Sequence, residues 1–160
     1  MSFSSPEGNR GLGFEVCRQL AERGMQVWAG SRDLERGEAA AARLADAAAV
    51  RAVALDVQRE ETIAVAAERV GAVDVLVNNA GILLRDDTDD PADVPQAVLA
   101  QTMDVNCFGV QRVTRAFLPA MNDRGSGRVI NVSSGCGRMS TMHPSGCTAA
   151  SRLSRLRSTR

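Results

Sequence analysis

The chain has no lysine and no tyrosine; all 19 of its basic residues are arginine. Within these 160 residues, chemistry that needs a phenol or an ammonium side chain has neither to use. The 19 basic and 19 acidic residues cancel, so global charge argues neither for nucleic acid nor for a membrane surface. Four cysteines (Cys17, Cys107, Cys136, Cys147) show no C-x-x-C pair and no regular spacing. That excludes a recognisable metal site or disulfide frame and reads as thiols kept in a reducing, cytoplasmic setting. No apolar run approaches a membrane span, and the first residues do not read as a signal peptide. The length fits one domain with a sizeable core.

What is present is organised around Gly8-Asn9-Arg10-Gly11-Leu12-Gly13, which runs into a helix over Phe14–Arg23. Leu12, Val16, Cys17, Leu20 and Ala21 form its apolar face, while Arg18, Gln19, Glu22 and Arg23 take the wet side. First-turn amides of a helix lack intrahelical partners and carry partial positive charge. Glycines without a Cβ let a phosphate approach that backbone closely. The turn is therefore a candidate dinucleotide pyrophosphate site, and a plain glycine loop before a helix is the alternative.

Met1–Glu7 is polar and holds a proline, where a phosphate-binding turn calls for a buried strand. Strands are expected at 26–30, 50–57, 73–77 and 128–132. Helices are expected at 34–48, capped by Asp33, at 60–70, ended by Gly71, and at 96–121. The last carries a stripe of Val98, Thr102, Val105, Gly109, Val113 and Phe117. Residues 86–95 form an acidic, proline-bearing loop. Alternating strands and helices of this length predict right-handed crossovers and a doubly wound α/β parallel sheet, with helices on both faces. The expected domain is 1–138, a partial dinucleotide-binding unit with a degenerate first strand and no C-terminal strands. Residues 139–160 form an irregular tail, whose Ser/Arg-rich end holds four arginines and no acid. Such a tail could be a nucleic-acid or membrane arm; a shifted reading frame, set out below, accounts for it otherwise, and neither partner is expected.

Ligands of a parallel sheet sit beyond the carboxyl ends of its strands. Here those ends read Ser31-Arg32, Asp56-Val57, Asn78-Asn79-Ala80-Gly81 and Ser133-Ser134-Gly135. Together with the glycine turn, and with Asp104-Val105-Asn106 on the long helix, this combination resembles the short-chain dehydrogenase/reductase family, in particular its carbonyl-reductase-like members. The resemblance spans roughly Gly8 to Arg138. It implies hydride transfer between a nicotinamide and a small carbonyl or alcohol substrate. It further implies that Gly8, Asn9, Arg10, Gly11, Leu12 and Gly13 bind cofactor, that Asp56 and Val57 hold the adenine, and that Asn78, Ala80 and Gly81 support the sheet beside it. Ser134 would polarise the substrate oxygen, and Asn106 would hold a water in the proton relay. The family's counterpart of helix 96–121 commonly forms a dimer face, which implies a homo-oligomer.

Charge argues the cofactor. An NAD site places a carboxylate on the ribose 2′-hydroxyl, and an NADP site places arginine near the 2′-phosphate. Arg32 follows the second strand and Arg10 lies in the glycine turn, so two guanidinium groups suit a dianionic phosphate. Asp33 is the counter-evidence, and helix capping explains it equally well. NADP(H) is expected over NAD(H).

Two departures from the family stand against turnover. Its leading Thr-Gly falls on Pro6-Glu7, where Glu7 would aim a carboxylate at the pyrophosphate. Its Tyr-x-x-x-Lys falls where this chain reads His143-Pro144-Ser145-Gly146-Cys147-Thr148. In the family the lysine lowers the pKa of a tyrosine that otherwise titrates near ~10; neither residue exists here. A shifted reading frame accounts for both ends. If Met1–Glu7 is encoded ATG-TCG-TTC-TCG-TCA-CCG-GAG, the same bases read one back give Val-Val-Leu-Val-Thr-Gly. Less compellingly, allowed codons turn Thr148 and Arg152 into tyrosine and lysine. The alternatives to an impaired oxidoreductase are a non-catalytic nucleotide-binding or interaction module and a frameshifted gene fragment.

Overall fold

The computed structural model describes residues 2–4 (as a strand), 11–44, 49–84 and 93–133. Strands and helices alternate as β1 (Ser2–Ser4), α1 (Gly11–Glu22), β2 (Val27–Ser31), α2 (Leu34–Ala42), β3 (Val50–Ala54), α3 (Glu60–Val70) and β4 (Val75–Asn78). There follow α4 (Gln96–Met103), a π-helical turn (Asp104–Gly109), α5 (Val110–Asp123) and β5 (Arg128–Asn131). Every strand pair among the described residues is parallel: β1 with β2 (Phe3 opposite Trp28), β2 with β3 (Ala29 opposite Ala52), and β4 with β5 (Val77 opposite Ile130). The ladders form a three-stranded sheet β1-β2-β3 and a pair β4-β5, and β1 runs beside β4. The spatial order is therefore β3-β2-β1-β4-β5, with its reversal between β1 and β4. This is the doubly wound, Rossmann-type arrangement, in which the crevice lies at such a switch point.

The period-2 side-chain alternation of the strands divides the core into two layers. Val27 and Ala29 of β2 join Cys17 and Ala21 of α1, Ala41 of α2 and Val50 of β3 on one face. Trp28 points the other way, with Val53, into the larger cluster built on Ile63, Ala66 and Val70 of α3 and Val113, Phe117 and Met121 of α5. Leu55, Leu76, Val53 and Val73 are among the largest fully buried side chains. At roughly 25 cal/mol per Å² of apolar area, these two layers supply most of the drive to fold. Helix α3 starts on Glu60 and Glu61 and ends with Arg69, matching the helix dipole, and Gly71 closes it.

Several expected bounds shift. The first strand is present, but only three residues long. Helix α1 starts at Gly11, and Leu12 is 59% exposed rather than part of the apolar face; the buried positions are Gly13, Cys17 and Ala21. Helix α2 stops at Ala42 rather than reaching residue 48, and residues 45–48 lie outside the described set; Leu44 is buried just past the helix end. The third strand ends at Ala54 because the chain turns toward α3, although Leu55 N–H still bonds the Ser31 carbonyl at 2.8 Å. The fourth begins at Val75, two residues late.

The expected single helix over 96–121 is α4 and α5 joined by the π turn, and it continues to Asp123. All six residues of the expected stripe are buried. From Val98 to Phe117 that stripe takes five turns, about one residue more than α-helical pitch fits. A single π turn absorbs the excess and keeps both halves facing the sheet.

Candidate functional site

The residues after β2, β3 and β4 converge. Arg32, Asp56, Val57, Gln58, Gly81, Ile82 and Val105 line one crevice at the carboxyl edge of the sheet. Four of the expected cofactor residues (Arg32, Asp56, Val57 and Gly81) are thus brought together from three separate strand ends. Ala80 packs, partly buried, against the larger core beneath them.

At the start of α1, Gly11 has φ +66°, and a Cβ built there would meet nothing within 4 Å among the described residues. The positive φ favours glycine. The first turn of α1 holds no acidic residue of its own, so its amides face any incoming anion uncompensated from within the helix. A glycine at a helix start lets a phosphate approach the backbone closely. Gly8, Asn9 and Arg10 lie outside the described residues, as does Ser134.

The Asp56 loop is fastened by its own polar groups. Thr62 Oγ accepts from Asp56 N–H at 3.0 Å, and Asp56 Oδ1 accepts from Gln58 N–H at 3.0 Å. The result is a tight turn that presents Val57, itself 3% exposed, to the crevice wall.

Asn78 braces the sheet from within. It is buried, and its side-chain amide donates to Thr114 Oγ at 3.1 Å and to Asn131 Oδ1 at 2.8 Å. Its carbonyl accepts from Val132 N–H at 2.9 Å, which carries the β4–β5 pairing on toward Ser133. Any effect of Asn78 on a cofactor acts through this bracing, because its amide is committed to α5 and β5.

Asn106 sits in the π turn. Its Oδ1 accepts from Ile82 N–H at 2.8 Å and its Nδ2 donates to the Ile82 carbonyl at 3.0 Å. The side chain thus grips the backbone of the loop after β4 from both sides. Beside it, Asp104 accepts from Gln58 Nε2 at 2.8 Å and from Arg112 at 2.6 Å. The Gln58 hydrogen bond first, then the Arg112 guanidinium, hold the Asp104 carboxyl below its ordinary range against the opposing effect of partial burial.

The charges at the end of β2 are unequal in their commitments. Asp33 caps α2: one carboxylate oxygen accepts from Arg36 N–H at 3.1 Å and the other meets Arg36 Nε at 3.1 Å. Arg32 is exposed and has no ion pair or hydrogen bond among the described residues. Ser31, buried, turns its hydroxyl onto the Asp33 carbonyl at 2.6 Å and fixes the turn between them.

The sequence reading missed Gln58, Thr62, Ile82 and Arg112. Thr62 and Ile82 act on or through backbone groups, which leave no residue pattern to find. Arg112 follows Asp104 by eight positions, close to two helical turns, and that spacing was the one available signal.

The sequence matches the short chain dehydrogenase family over residues 8–151, which continues past Arg138 into the segment expected to be a tail. Among curated proteins, the chain is 37% identical over 158 residues to the short-chain dehydrogenase/reductase ATR10 of Stachybotrys chlorohalonatus, covering 92% of this chain and 57% of that protein. It is 36% identical to carbonyl reductase [NADPH] 1 of Mus musculus, covering 79% and 46%. Of solved structures, a short chain dehydrogenase/reductase family protein superposes with a TM-score of 0.83 at 28% identity over 98% of this chain and 63% of that one. An actinorhodin polyketide ketoreductase solved with NADPH superposes with a TM-score of 0.79 at 29% identity over 97% and 59%. The chain spans about half the length of the curated relatives it matches. With its strand order, its glycine turn and its strand-end crevice in agreement with that match, the chain belongs to the short-chain dehydrogenase/reductase family.

Proposed function

We propose that this chain is the nucleotide-binding part of an oxidoreductase that moves hydride between NADP(H) and a small carbonyl or alcohol, and that as written it turns over little or nothing. The observation that carries the cofactor choice is the pairing of Asp33 with Arg36. A carboxylate already spent on a helix cap is a poor ribose ligand, and it leaves Arg32 as the uncommitted charge at the end of β2. A guanidinium there attracts a 2′-phosphate and finds no such charge on NADH. The mouse reductase carries NADPH in its name and the polyketide ketoreductase was solved with NADPH, which supports the same choice.

Each residue has a task in this reading. The Gly8–Gly13 turn and the first amides of α1 bind the pyrophosphate. Asp56 and Val57 form the adenine wall, and Ala80 and Gly81, held up by Asn78, form the floor. Asn106 fixes the loop at Ile82 and so shapes the nicotinamide end, where the π turn is the place for a relay water. Ser134 would hydrogen-bond the substrate oxygen. Hydride transfer is the chemistry the nicotinamide supplies when bound. The proton is the gap: with no tyrosine or lysine among the 160 residues, no tuned acid stands at its source.

That gap favours a second reading, a non-catalytic module that binds nucleotide or pairs with intact reductases through the outer side of 96–121. Either way the expected setting is the cytoplasm; no helix among the described residues is long and apolar enough to cross a membrane. NADPH fluorescence titration followed by an aldehyde-reduction assay separates the readings. Binding with slow turnover supports the impaired enzyme, and binding with none supports the module. Binding of neither NADPH nor NADH defeats both and points to a disrupted gene product, which the nucleotide sequence of the two ends would reveal.

A further inference from the structure

The wall of the crevice and the turn that carries Asn106 come from opposite ends of the chain's middle, yet one side chain touches both. Arg112 of α5 places Nη2 2.6 Å from Asp104 Oδ1 in the π turn. Its Nη1 lies 3.3 Å from the Val57 carbonyl and 3.5 Å from that of Asp104. Gln58, next to Val57, closes the circuit by donating to the other Asp104 oxygen at 2.8 Å. The Arg112 and Asp104 side chains are 23% and 30% exposed, so the pair is only partly screened. Below them Gly109 lets the backbone of the turn lie against Val57.

We infer that Arg112 is a positioning residue for cofactor binding: its guanidinium bridges Asp104 and the Val57 carbonyl and so fixes the Asp56–Gln58 wall against the turn that carries Asn106. The inference rests on the crevice being the cofactor site. Arg112 lines no part of that crevice; it acts through Val57 and Gln58. A fork is required, because one nitrogen must reach a carbonyl while the other meets a carboxylate. A lysine ammonium is a single point and cannot span both. The adenosine half of the cofactor should feel the loss, since the proposed adenine wall is Asp56 and Val57.

The test compares the wild-type chain with Arg112→Met, Arg112→Lys and a control, Arg115→Met. Arg115 lies on the same helix and pairs with Glu60 at 3.1 Å in an exposed setting, and it makes no bond to Val57, Gln58 or Asp104. Amide hydrogen exchange without ligand reads the wall directly, at Gln58 and Arg59, whose N–H groups bond Asp56. Both Arg112 variants should exchange there about tenfold faster, the scale expected for a lost charged hydrogen bond, and the control should not. Affinity for NADPH and for adenosine 2′,5′-bisphosphate should fall by the same factor of roughly ten, and reduced nicotinamide mononucleotide should bind unchanged. Unchanged exchange in Arg112→Met overturns the inference whatever the affinities do. Equal losses for both halves of the cofactor, or full rescue by lysine, overturn it as well. A wild-type chain that takes up neither NADPH nor the bisphosphate overturns the cofactor reading instead, and the exchange rates then still judge the bridge.

Discussion

Gly109 and Val57 are in direct apposition: a Cβ on Gly109 would fall 2.8 Å from Val57 Cγ2 and 2.9 Å from Val57 Cβ. The π turn and the loop after β3 touch at this point, and no side chain fits between them. Gly109→Ala should destabilise the chain by about 1–3 kcal/mol, the usual cost of overpacking. Val57→Ala in the same chain should return part of that loss, since the clash is with the valine side chain. Urea unfolding of the two single variants and the double variant measures the coupling. Strict additivity would mean that the two residues do not meet.

Asn78 offers a second test, of bracing rather than packing. Asn78→Ala strands Thr114 Oγ and Asn131 Oδ1, both of which it now serves. Asn131 is exposed and can turn to water, so the loss falls mainly on half-buried Thr114 and on the emptied buried site, about 1–3 kcal/mol in all. A loss of that order in denaturant midpoint is expected, with faster amide exchange at Val132, whose N–H rests on the Asn78 carbonyl. A surface-like loss below about 0.5 kcal/mol would argue against the bracing role.

Asp33 separates capping from ribose recognition. Asp33→Ser keeps a competent N-cap but removes the carboxylate. Thermal stability should stay near wild type, and the ratio of NADPH to NADH affinity should not move. Asp33→Ala should cost about 1 kcal/mol and again leave that ratio alone. A selective fall in NADH binding in either variant would return Asp33 to the ribose.

Asp104 sets an acid-side prediction. Its folded carboxyl lies below the ordinary value because Gln58 and then Arg112 favour the ionised form. A depressed folded value means the group binds its proton more readily unfolded, near pH ~3.9. Its contribution is therefore complete above that pH and drains away as pH falls through the folded value. Asp104→Asn should be less stable than wild type at about pH 7, and the gap should narrow toward about pH 3. Unfolding curves at several pH values check this; a gap that is constant with pH would contradict it.

Much of this architecture was legible because it rests on periodicity. Helix 60–70 follows from its apolar spacing with Gly71 as its stop, and the buried stripe from Val98 to Phe117 from its spacing alone. The strand-end motifs located Arg32, Asp56, Val57 and Gly81 before their convergence was visible. What escaped were features that pattern does not encode. Ser2–Ser4 forms a strand despite its polar letters because β2 and β4 flank it and offer backbone partners or contact. The π turn leaves only a one-residue excess in the stripe, a deviation smaller than the scatter of apolar positions along an ordinary helix. Leu12 looked like core because its letter is apolar, but it sits at the glycine turn, ahead of the helix's contact with the sheet. The Arg112 bridge depends on a carbonyl, and carbonyls are invisible to composition.

The central claim is that the carboxyl edge of this sheet takes NADP(H) with Arg32 on its 2′-phosphate. Competitive titration of NADPH and NADH against the wild-type chain and Arg32→Ala tests it most directly. The account predicts that wild type favours NADPH by roughly ten- to a hundredfold, the worth of one or two charged hydrogen bonds, and that Arg32→Ala loses most of that preference while NADH affinity holds. Equal binding of the two nucleotides by wild type, or a preference that survives Arg32→Ala, would contradict it.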